Sequence, residues 1–129
     1  MIYRWINKNV NLELLAQEVE DFFKEKGFKT RYDKKNQEEY AVYTIVKQEK
    51  RQKAVTARIH GKPNDFYIEF PADNHSFSTF GSLTSMFGGG FLILKELKDK
   101  DFLRKLEDDL WVYLENIVEG TAGKAQQET

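Results

Sequence analysis

The sequence has 129 residues with 20 Lys and Arg against 21 Asp and Glu, a balance that excludes the strongly basic or acidic character of chains that act through bulk charge. It contains no cysteine, which removes disulfide frameworks, thiolate nucleophiles and Cys-based zinc or iron–sulfur centres and suits a reducing compartment. Its 40% apolar and 14% aromatic content supports one globular domain with one core, expected over residues 1–119, with 120–129 as a disordered C-terminal tail.

The opening residues, MIYRWINKNV, lack the apolar core of a secretory signal, so the expected location is cytoplasmic. Leu12, Leu15, Ala16, Val19, Phe22 and Phe23 then recur at three- and four-residue steps, which predicts an amphipathic helix over 11–26. Asn9 or Asn11 can cap its start, and Gly27 can take the left-handed conformation that stops it.

Beyond Gly27 the apolar period changes from 3.6 to 2. Phe28, Thr30 and Tyr32 alternate with Lys29, Arg31 and Asp33, and a β-rich run follows over 40–47. Val55, Ala57 and Ile59 alternate with Thr56, Arg58 and His60, and Phe66, Ile68 and Phe70 form one side of a fourth strand. Turns are predicted at 33–38, 49–52 and 61–65. Short links of this kind imply an antiparallel meander with one face buried and the other wet.

After Pro71 comes a segment without parallel in the chain: residues 74–94 contain no Asp, Glu, Lys or Arg, yet carry Phe77, Phe80, Leu83, Met86, Phe87 and Phe91. Gly, Ser, Thr, Asn and His make up most of it, which excludes a membrane span. Phe77, Phe80, Leu83 and Phe87 share one side of a helical wheel before Gly88, Gly89 and Gly90, and a fifth strand is predicted over 91–97. A final helix, capped by Asp99 or Asp101, lines Leu103, Leu106, Leu110, Leu114 and Ile117 along one side and is expected to end at Gly120. The fold expected is α+β: a two-layer sandwich in which an antiparallel four- to five-stranded meander carries the N-terminal and C-terminal helices on one face.

Familiar catalytic arrangements find little support. Asp73, His75 and Ser76 are too close along the chain to converge as a relay. His60 and His75 lack metal-ligand spacing, Asp108 and Asp109 diverge by about 100° on a helix, and Gly88 to Gly90 matches no phosphate-loop pattern. No catalytic residue, metal or cofactor is therefore expected, and the chain leans away from being an enzyme.

Three uses of the surface are left. The first is a non-catalytic cytosolic interaction module, a homodimer or other homo-oligomer that self-associates through the uncharged segment or meets another protein partner there, with Phe77, Phe80, Leu83, Phe87, Phe91 and Trp111 as its surface. The second makes the same segment a lid over an apolar small molecule. The third is nucleic-acid binding on a sheet face bearing Lys29, Arg31, Arg58, His60 and Tyr67, since residues 24–62 alone carry a net charge of +7.

Overall fold

The computed structural model describes residues 1–72 and 94–128. In chain order the elements are β1 (Ile2–Ile6), α1 (Leu12–Glu25), β2 (Lys29–Asn36), β3 (Glu39–Gln48), β4 (Arg51–Lys62), β5 (Asp65–Glu69), β6 (Leu94–Glu96) and α2 (Lys100–Glu128). The sheet runs β1-β5-β4-β3-β2 with every neighbour antiparallel, and β6 pairs in parallel with the start of β4. Both helices lie on one face, so the two-layer α+β arrangement is as the apolar stripes require.

Local chemistry sets the boundaries. The Asn11 side chain accepts from the Leu14 N–H at 3.1 Å, satisfying a donor that the first turn of α1 leaves open, and Gly27 adopts φ +92° just beyond its end. Between β1 and α1, Asn7 and Asn9 take φ of 60° and 51°, a left-handed conformation that Asn tolerates better than most residues. The Asp99 carboxylate caps α2 through the Phe102 N–H at 3.2 Å.

The core forms where the stripe of each helix meets the inner sheet face. Leu15, Ala16, Val19 and Phe23 of α1 and Leu110, Leu114 and Val118 of α2 are buried against Val42, Ala57, Ile59, Phe66 and Ile68. Each large side chain so buried stabilises by about 1.5 to 3 kcal/mol. The helices run antiparallel to each other. Lys26 at the end of α1 reaches Asp109 at 2.9 Å, Glu18 in its middle accepts from the Tyr113 hydroxyl at 2.8 Å, and Lys8 before it reaches Glu119 at 2.7 Å. Part of the positive charge concentrated in 24–62 is thus met by the acidic last helix.

Four differences from the sequence reading have physical causes. Residues 2–6 form an edge strand absent from the sequence reading: the alternation of Tyr3 and Trp5 is there, but the β5 partner that makes it a strand lies about sixty positions away. The strand expected at 91–97 is described as β6, and it joins β4 in parallel instead of extending the meander. The outer sheet face is not uniformly wet: Ala41, Tyr43, Ile45, Ala54 and Thr56 are buried on it, and β3 is buried on both sides, as the unbroken run YAVYTI implies. Helix α2 continues through Gly120 to Glu128, where a disordered tail was expected. Ala122, Lys124, Ala125, Gln126 and Gln127 favour helix intrinsically, and Gly120 and Gly123 cost only about 1 kcal/mol each.

Candidate functional site

At one margin of the sheet the sequence IYRWI places Tyr3 and Trp5 inward and Ile2, Arg4 and Ile6 on the outer face. The inward pair is held by α2: the Tyr3 ring lies 3.8 Å from the Trp111 ring, and Trp5 packs on both Trp111 and Phe66. Strand β1 is therefore fixed from beneath by aromatic packing. Its outward side chains stay open, with Ile2 61% and Ile6 50% exposed.

The backbone of β1 is equally defined. Met1 and Phe70 exchange hydrogen bonds in both directions, at 2.8 and 2.9 Å, and Asn7 donates to the Asn64 carbonyl at 2.7 Å. Antiparallel pairs alternate between bonded and non-bonded, so the pairs Tyr3–Ile68 and Trp5–Phe66 carry the intervening bonds. The N–H and C=O groups of Ile2, Arg4 and Ile6 consequently face away from β5. Among the described residues no strand pairs with that side.

Arg4, the one charged residue of β1, is drawn back from the margin. Its guanidinium makes two 2.8 Å bonds to the Asp65 carboxylate and lies 5.4 Å from the centre of the Tyr67 ring, which stacks at 4.9 Å on His60. Asp65 is held below its ordinary pKa by the hydrogen bonds from Arg4, and Arg4 is raised for the reciprocal reason. The charge is compensated within the chain, which leaves the margin itself apolar.

The opposite margin is built differently. Strand β2, KTRYDKKN, carries Lys29, Arg31, Asp33, Lys34 and Lys35. Lys35 pairs with Asp33 at 2.7 Å and lies 5.8 Å from the Tyr43 ring. Charges of this kind on an edge strand oppose pairing with another sheet.

Lys29, Arg31, Arg58, His60 and Tyr67, the residues selected for nucleic acid, do share the outer face. They form two groups. Arg58 sits between Glu39 at 3.8 Å and Glu69 at 3.7 Å, beside the His60–Tyr67 stack, whereas Lys29 and Arg31 stand on β2 beyond the buried strip of Tyr43, Ile45, Ala54 and Thr56. Phe77, Phe80, Leu83, Phe87 and Phe91 lie outside the described residues. Trp111, expected with them at an interaction surface or lid, is instead buried in the core under β1, because its place on α2 points it at Tyr3 and Trp5.

A cleft of about 250 Å³ opens where α1 ends beside α2, lined by Lys26, Phe28, Phe102, Lys105, Leu106 and Asp109. It is small for a ligand pocket, and its Lys26–Asp109 pair is already satisfied internally. Among the described residues no cluster of His, Asp or Glu could hold a metal ion, and no helix is long and apolar enough to cross a membrane.

Among the described residues, fold and site together define a two-layer α+β module with one blunted and one open sheet margin. Comparison with family models, curated proteins and solved structures finds no match to this chain.

Proposed function

We propose that this protein is a non-catalytic interaction module that takes a strand of another polypeptide along β1. The observation that carries the reading is the outward set of three N–H and C=O pairs at Ile2, Arg4 and Ile6, on a strand with exposed apolar side chains outside and Tyr3 and Trp5 packed on Trp111 inside. Main-chain bonds of this type supply affinity in strand addition, and alternate side chains supply selectivity. The lack of cysteine suits work in the cytoplasm.

The uncharged segment 74–94 extends this reading on composition alone: nine large apolar side chains without one charge favour contact over exposure to water. The nucleic-acid reading is supported less well, since carboxylates flank Arg4 and Arg58. A lidded apolar ligand has no comparable observation in its favour.

The direct test is titration of isotope-labelled protein with the synthetic peptide MIYRWIN, followed by amide resonances. Shifts concentrated at Ile2, Arg4 and Ile6 and at their β5 neighbours are expected. Absence of shifts at millimolar peptide, or shifts confined to β2, would overturn the edge reading.

A further inference from the structure

Given that edge reading, we infer that the strand accepted by β1 is β1 of a second copy, paired antiparallel about a two-fold axis through Arg4. The parity of the ladder makes the margin self-complementary. With Arg4 opposite Arg4 of the partner subunit, Ile2 meets Ile6 of the partner subunit, and all three outward residues fall in hydrogen-bonded positions at once.

Charge agrees with this register. Two arginines facing each other across a margin would ordinarily repel. Here each guanidinium is bound bidentately by Asp65 and lies back toward Tyr67, away from the incoming strand. Neutral, apolar Ile2 and Ile6 meet their counterparts, and no carboxylate of β1 opposes the contact. Pairing β1 with β2 of another copy would set an open head-to-tail chain against a charged strand, whereas the β1 pair closes on itself.

The footprint sets the strength. A standard interface buries about 800 Å² per partner, and a five-residue strand with Met1 preceding it falls short of that. The dimer is accordingly reversible and concentration-dependent.

The test has two arms. In sedimentation velocity the wild-type chain should shift from monomer toward dimer across the micromolar to millimolar range. The double variant Ile2→Lys, Ile6→Lys should raise the dissociation constant at least tenfold with an unchanged circular dichroism spectrum, while Val112→Lys, at an exposed α2 position, should not. In the second arm, the cysteine-free background makes single thiols diagnostic. Oxidising a mixture of Ile2→Cys and Ile6→Cys chains should link the two variants to each other, since bonded pairs lie within disulfide reach, and neither variant to itself. This arm keeps the test decisive if the lysine variant fails to fold. A wild-type chain that stays monomeric to millimolar concentration, or cross-linking of like with like, overturns the inference. If the monomer still binds the MIYRWIN peptide, the edge reading stands with a different partner.

Discussion

Gly61 is a residue for which the backbone leaves no alternative. It sits at φ +128° near the end of β4, where an added Cβ would overlap the Asp65 carbonyl oxygen and lie 2.7 Å from Phe66 Cα. Gly61→Ala should therefore destabilise by about 1 to 3 kcal/mol, read as a lowered denaturation midpoint. The same turn carries Asp65, so the variant should also disturb the carboxylate that neutralises Arg4. Asp65 itself offers a pH test. Its folded pKa is depressed below the ordinary 3.8, so its contribution is complete above that value and is lost as pH falls through the depressed one. Protonation leaves the Arg4 charge uncompensated at the margin. Asp65→Asn should mimic this at neutral pH, weakening association in sedimentation several-fold while the fold persists. An unchanged dissociation constant would show that the pair plays no part at the edge.

At the scale of elements, the β3–β4 hairpin is the clearest case of local sequence opposing local geometry. Its ladder runs to Gln48–Arg51, so the loop is Glu49 and Lys50 alone, with φ of 54° and 66°. A two-residue turn with both φ positive favours Asn-Gly, so Glu49→Asn with Lys50→Gly should stabilise by about 1 kcal/mol, visible as a rise in melting temperature. This mismatch also explains why the sequence reading drew a broader turn over 49–52: nothing in Glu-Lys signals a tight one. The helices were more legible, because six apolar positions at helical spacing and Asn11 gave α1 to within a residue at each end. Strand β1 was missed although Tyr3 and Trp5 alternate with Ile2, Arg4 and Ile6. The signal was present, but its pairing with β5 depends on residues about sixty positions away, which periodicity cannot supply.

For the whole molecule, the layer architecture followed from the stripes of two helices and the single inner face of the sheet. The candidate site did not, because an open margin is a property of strand order. Residues such as Lys29 and Arg58, neighbours in character along the sequence, turned out to be divided by a buried strip that only the assembled sheet creates. The uncharged segment gives a separate expectation at this scale. Replacing Phe80 and Phe87 with Ser should lower the mass of any oligomer in light scattering while circular dichroism stays folded. Unfolding of that variant would instead make those rings part of the core.

Amide hydrogen exchange at β1, followed against protein concentration, shows whether this edge accepts a strand. Tyr3 and Trp5, bonded to β5, should be protected throughout and serve as the internal reference. Ile2, Arg4 and Ile6 should exchange rapidly in dilute solution and become protected as concentration rises. Exchange at these three amides that stays fast up to millimolar protein, even with MIYRWIN peptide in excess, would mean that β1 takes no added strand.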